Sequence, residues 1–272
     1  YFHGYYDQYC FLPLYVFCGK QLLVSYLRPS SGDGARHAWA ILALLVRRLR
    51  QAWPKVRIVL RADSGFCRWR MLRWCEHHQV DYVVGIGTNQ RLAAQAQPFV
   101  EAAAHSFEAT GHKQRQFYVL YYGARTWDRQ RRVIVKAEHT AQGSNPRYVV
   151  TNLRAKPKYL YDRLYCARGE MENRIKEQQL DLFADRTSCH DWWPNQFRLL
   201  LASLAYTLLE AIRRLALKGT ELAHAYVGTI RLKLLKIGAV ILRNTRRVRL
   251  LLSSSYPCKP LFFLVAARLQ PT

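Results

Sequence analysis

Asp63 lies in "RADSGF", directly after the strand-like run "VRIVL" (residues 56–60), and leads through a Ser-Gly turn into the basic stretch "CRWRMLRWCEHH" (67–78). Farther along, "YCARGEMENRIKEQQ" (165–179) gathers Glu170, Glu172 and Glu177, although the chain has 42 Lys and Arg against 18 Asp and Glu. In an open α/β sheet, ligand-binding and catalytic groups collect at the carboxyl ends of strands, where a side chain is presented by a rigid element. Two carboxylates in so basic a chain suit a hard divalent cation such as Mg²⁺, which takes oxygen ligands and bridges to phosphate. Such an ion activates in-line displacement at phosphorus. Plainer roles stay open. Asp63 could cap a turn, and Glu172 could form ordinary pairs with Arg168 and Lys176, four residues to either side.

Wound as an α-helix at 100° per residue, residues 165–179 place Tyr165, Arg168, Glu172, Lys176 and Gln179 on one stripe about 80° wide. Glu170 and Glu177 fall on the opposite side, facing solvent or pairing with nearby arginines. Glu172 is then the acid set among tyrosine and basic residues.

The formal net charge of +24 favours a polyanionic partner, and nucleic acid is the first candidate. A membrane surface is the second candidate on charge, and no membrane partner is expected. The longest apolar run, 199–209, lies between Arg198 and Glu210 and falls short of the roughly 20 residues that span a bilayer. Half the residues are hydrophobic, a globular composition. The seven cysteines are scattered singly, as in a reducing cytoplasm. Cys67, Cys75, His77 and His78 do not have the spacing of a zinc site.

The elements that must hold these acids follow from periodicity. "FLPLYVFC" and "QLLVSYL" around the "GK" turn predict a β-hairpin. A helix over 35–52, a strand at 56–60, a helix over 67–78 and a strand at 81–87 follow, an α/β order with a mixed sheet. A helix over 90–112 leads to three strands at 116–123, 131–139 and 146–153, read as an insertion or an extension of the sheet. Helices return over 156–180 and 194–218; Trp192 and Trp193 could stack on a base, with a hydrophobic staple before the second helix the favoured reading. The last fifty residues interleave basic and apolar side chains, and Arg243, Arg246, Arg247 and Arg249 are candidate phosphate contacts.

Tyr165-x2-Arg168-x3-Glu172-x6-Gln179 resembles the Tyr-x2-Arg-x3-Glu-x6-Lys signature of a large group of bacterial insertion-sequence transposases of the DDE type. "RADSGF", "HGYYDQYCFLPLYVF", "ENRIKEQQLDLFADRTS" and "RLKLLKIGA" also resemble one branch of that group. The resemblance implies a ribonuclease H-like mixed sheet flanked by helices, with a β-rich insertion before the glutamate-bearing helix. The parts would be 1–90, the first half of the core; 91–155, the insertion; 156–218, the second half; and 219–272, a basic C-terminal segment.

It further implies Asp63 and Glu172 as metal-binding members of an Asp-Asp-Glu triad that uses Mg²⁺, or Mn²⁺ in its place. Tyr165, Arg168 and Lys176 would contact transposon-end DNA, with Arg243, Arg246 and Arg247 on the backbone. The partner would be double-stranded DNA, engaged as a homodimer in the bacterial cytoplasm at the nucleoid. Gln179 departs from the signature lysine, and Lys176 is its substitute on the same stripe. The group's first aspartate belongs on a strand before the hairpin, so the expectation is a chain that starts after it, binds DNA and cuts it poorly or not at all. Asp7 is the acid weighed as a replacement. The alternatives are a nuclease of the same fold and a non-catalytic DNA-binding remnant.

Overall fold

A computed structural model describes residues 2, 3 and 8–270. Asp7 lies outside the described residues. Residues 32–169 form one compact unit, and residues 1–31 with 170–272 form another. The chain begins in the second of these with the short antiparallel pair β1 (Phe2–His3) and β2 (Gln8–Tyr9). The predicted hairpin follows as β3 (Phe11–Cys18) and β4 (Gln21–Pro29), turning through Gly19 at φ 58°. Only glycine takes that conformation without a steric penalty.

The central unit opens with α1 (Ala38–Ala52) and the four-residue strand β5 (Val59–Ala62). Then come α2 (Trp69–His77), β6 (Asp81–Ile86) and α3 (Gln90–Thr110), the last capped by the Asn89 side chain on the amide of Leu92. Strands β7 (Gln114–Tyr122), β8 (Arg131–Thr140), β9 (Gly143–Ser144) and β10 (Arg147–Thr151) complete one sheet in the order β5-β6-β10-β8-β7, with β9 on β8. β5 and β6 run parallel, and every other pair is antiparallel. The four strands after α3 therefore extend the sheet through β10 on β6.

Alternation along β6 divides the core. Tyr82 and Val84 pack with Leu72, Cys75, Leu92 and Ala96 of the helices on one face. Val83 points the other way, against Ile134, Val149, Leu160 and Tyr161. Leu72 is fully buried, and truncating such a leucine costs about 2–5 kcal/mol. Cys75 is part of this packing, with Cys67 and Trp74 beside it. Cys75 is buried with its thiol pushed up to about 12 by desolvation, and His78 stacks on Trp74 with ring centroids 4.2 Å apart. Glu76 receives hydrogen bonds from Tyr82 Oη (2.7 Å) and from Arg131 Nε (2.8 Å) and Nη2 (3.0 Å), which join α2 to the sheet.

The helical run begins with α4 (Pro157–Tyr159) and continues as a π-helical segment, Leu160–Tyr165, and a 3₁₀ turn, Cys166–Arg168. In the other unit come α5 (Gly169–Lys176), a second π segment Glu177–Asp181, and the long α6 (Trp192–Leu215). The uniform projection at 100° per residue therefore does not hold across 165–179, because 3₁₀ and π turns advance by different angles than an α turn. The staple expectation is also corrected. α6 begins at Trp192, so the two tryptophans are its first turn, and Trp192 Nε1 donates to the Leu27 carbonyl at 2.9 Å. α7 (Val227–Ile230), a π segment Arg231–Leu235, the hairpin β11 (Ala239–Arg243) and β12 (Val248–Leu252), and α8 (Lys259–Arg268) complete the chain. Among the described residues no helix is long and apolar enough to cross a membrane.

Candidate active site

Asp63 leaves β5 in extended conformation and caps the 3₁₀ turn Ser64–Phe66, its Oδ1 accepting from the Gly65 amide at 2.9 Å. The plainer reading of this aspartate, a turn cap, is thus real. It occupies one oxygen only, and Oδ2 accepts no hydrogen bond among the described residues. Phe66 and Cys67 pack against the core behind the turn and fix its position. The parallel register sets Ala62 beside Val84, so the next residue of β6, Gly85, lies next to Asp63.

Tyr165 reaches this corner from a distant stretch of sequence. A Cβ on Gly85 would lie 2.6 Å from Tyr165 Oη, 3.0 Å from the Ser64 amide nitrogen and 3.3 Å from the Asp63 carbonyl carbon. Glycine is required here by close approach, not by its φ. Arg61 Nη1 donates to the Leu164 carbonyl at 3.4 Å and ties the helical run to β5. Burial pushes the Tyr165 hydroxyl above the ordinary tyrosine range; the Arg168 guanidinium opposes the shift and Asp63 adds to it. The hydroxyl therefore stays protonated and able to donate. The Arg168 guanidinium lies 5.7 Å from the centre of the Tyr165 ring. Within one compact unit, the fold brings Asp63, Tyr165 and Arg168 to the carboxyl end of the parallel strand pair.

Glu170 and Glu172 lie in the first turn of α5, with Arg174 and Lys176 in the last, the charge order that complements a helix dipole. Glu172 and Lys176 are exposed, and Gln179 is half-buried. Glu177 belongs to a different class. It is 2% exposed, pairs with Arg174 (2.8 Å) and Arg213 (2.9 Å), and accepts from the Val227 amide at 3.0 Å. Arg213 also pairs with Glu210. Of the two roles expected for Glu177, pairing with arginine holds and facing solvent does not. Its main partner lies 36 residues away on α6, beyond the reach of a local pattern.

Arg243, Arg246 and Arg247 are brought together at the turn of the β11–β12 hairpin, all exposed, with Arg249 next to them on β12. Asn244 organises that turn, its Oδ1 accepting from the amides of Arg246 (3.0 Å) and Arg247 (2.8 Å). Among the described residues no group of three or more His, Cys, Asp or Glu side chains converges to hold a metal ion.

The fold is a mixed α/β sheet flanked by helices, with an aspartate presented at a strand end. The family model for the transposase DDE domain, group 1, matches residues 1–272, and the chain belongs to that family, whose function class is transposition. No curated protein matches the sequence.

Proposed function

We propose that this chain is the ribonuclease H-like catalytic domain of an insertion-sequence transposase, acting on double-stranded DNA in the bacterial cytoplasm. Asp63 and Glu172 are its metal-binding carboxylates, and their assembly into one centre is part of the proposal. Both are hard oxygen donors, and Mg²⁺ is commonly held by one or two carboxylates with phosphate oxygens and water in the remaining positions. The free Oδ2 of Asp63, on a side chain anchored by its other oxygen, suits that role. The bound ion, Mg²⁺ or Mn²⁺, would supply activation of the attacking oxygen and neutralise charge at the phosphate.

The protein's own groups do the positioning. Tyr165 donates its hydroxyl beside the strand end, while Arg168 and Lys176 contribute charge toward an end-DNA phosphate. Arg243, Arg246 and Arg247 hold the backbone elsewhere, with affinity but no sequence choice. The reaction is cleavage by water followed by attack of the freed 3′-hydroxyl on target DNA, carried out by a homodimer engaged on the DNA. The observation that carries this reading is the meeting of Asp63 and Tyr165 at Gly85, with the Arg168 guanidinium beside the Tyr165 ring.

One feature favours a second reading: the lack of three converging acids among the described residues suits a DNA-binding remnant without catalysis. Mn²⁺ calorimetry in the presence of duplex DNA separates the two. The catalytic reading expects binding that Asp63→Asn and Glu172→Gln each abolish. A chain that binds DNA and takes up no Mn²⁺ is the remnant. If metal is bound, a strand-transfer assay tells a transposase from a nuclease, which releases the ends without joining them.

A further inference from the structure

The outer face of α6 is built for a partner. A solvated helix normally turns polar residues outward. Here seven positions from Trp193 to Leu215 are apolar and fall within a band about 80° wide. Six of them carry large side chains exposed by 48% to 76%. The inner face already packs within its own unit through Leu199, Tyr206 and Leu209. The outer band is therefore surplus to the fold of that unit.

We propose that this band pairs two copies of the chain through an antiparallel, two-fold α6–α6′ contact centred on Leu204. The band is symmetric about its centre. Along the helix the seven positions are spaced 4, 3, 4, 4, 3 and 4, which reads the same in both directions about Leu204. An antiparallel pair crossing at Leu204 sets Trp193 against the other copy's Leu215, Phe197 against Ala211, Leu200 against Leu208, and Leu204 against itself. The bulky Phe197 meets the smallest residue of the band. Such a face is its own complement, as a two-fold contact requires.

Size and charge agree. The exposed parts of these side chains amount to roughly 700 Å² per copy, close to the about 800 Å² per partner that stable interfaces bury. With 1.5 Å of rise per residue, the two Arg198 side chains sit about 18 Å apart along the axis and the two Arg214 about 30 Å, beyond a physiological Debye length of about 8 Å. A parallel pair in register would set each arginine at the height of its own copy. A polyanion does not fit an apolar band, so the pairing needs no DNA. It does not rest on the transposase reading either, and the two fail separately.

Sedimentation velocity on the DNA-free chain tests it. The expected result is a species of twice the 31.8 kDa chain mass. Leu204→Glu enters the contact twice and should raise the dimer dissociation constant by at least about tenfold, with an unchanged circular dichroism spectrum. A monomeric wild type overturns the proposal, as does a Leu204→Glu dimer of unchanged affinity. Should Leu204→Glu fail to fold, cysteine cross-linking decides, read against the background of the seven native cysteines. Leu204→Cys is expected to link to itself, and Phe197→Cys to link to Ala211→Cys in a mixture but not to itself. Self-linking of Phe197→Cys, or no linking by Leu204→Cys, sinks the antiparallel pair.

Discussion

The hydroxyl of Tyr165 fills the space that a side chain at Gly85 would take, so that an added methyl would sit 2.6 Å from it. Gly85→Ala therefore displaces Tyr165 from Asp63 or strains β6, at an expected loss of about 1–3 kcal/mol. Tyr165→Phe removes the clashing oxygen and leaves the Ser64 amide as the tight neighbour. The penalty of Gly85→Ala should shrink in that background. Urea unfolding of the two single variants and the double variant reads the coupling, and simple additivity would deny the contact.

The Glu76 cluster predicts a pH dependence. Burial works to raise the Glu76 carboxyl, but hydrogen bonds from Arg131 and Tyr82 and the charges of Arg131 and Arg129 outweigh it, holding the group below the usual carboxylate range. A carboxyl lowered by folding stabilises the native state fully above its unfolded value, near pH 4.5, and that contribution is lost as pH falls through the folded value. Glu76→Gln leaves Arg131 buried with less compensation, at a cost of about 2–4 kcal/mol at neutral pH. Thermal melting as a function of pH should show the gap to wild type closing below about pH 4.5. A gap that stays constant into acid would refute the assignment.

Much of the frame is legible from local pattern. The Gly-Lys turn between two apolar runs marks β3 and β4, and the β-branched stretch before Gly85 marks β6. Asp63 at the end of β5 follows from the same reasoning. What escapes is long-range. The fit of Tyr165 at Gly85 joins residues far apart in sequence, and the bond of Trp192 to Leu27 spans 165 residues. Helical periodicity does not reveal the π and 3₁₀ turns in the stretch from 160 to 181, since the sequence there is an acceptable α-helix and the packing of each unit sets the winding.

Glu177 is read as structural, and its cluster can be broken in a graded way. Arg213 is buried between Glu177 and Glu210, so Arg213→Met leaves two carboxylates in a dry site and should cost about 3–5 kcal/mol. Adding Glu177→Gln removes one of the stranded charges and should recover part of the loss. Denaturant midpoints for both variants measure this, and a further loss in the double variant would count against the cluster.

The β11–β12 hairpin offers a test that stability does not confound. Arg243, Arg246 and Arg247 are exposed at its turn, so changing all three to alanine should leave the melting temperature in place. If each neutralises one phosphate, the salt dependence of duplex binding should flatten by about 2–3 in the slope of log K against log salt. An unchanged slope would show that DNA lies elsewhere.

The choice of substitution at Asp63 decides whether a loss of function can be interpreted. Asp63 serves the turn through Oδ1 on the Gly65 amide, and Asp63→Ala removes that cap at a cost of about 0.5–2 kcal/mol. Lost activity in that variant could then come from a loosened turn. Asparagine caps about as well as aspartate, yet its amide carries no charge for a cation. Asp63→Asn should therefore melt with wild type and keep its duplex affinity without metal, while losing Mn²⁺ uptake and any cleavage. Asp63→Ala should show the same functional loss with a lower melting temperature. If Asp63→Asn keeps full metal uptake, Asp63 is a turn cap and nothing more, and the catalytic role passes to another acid.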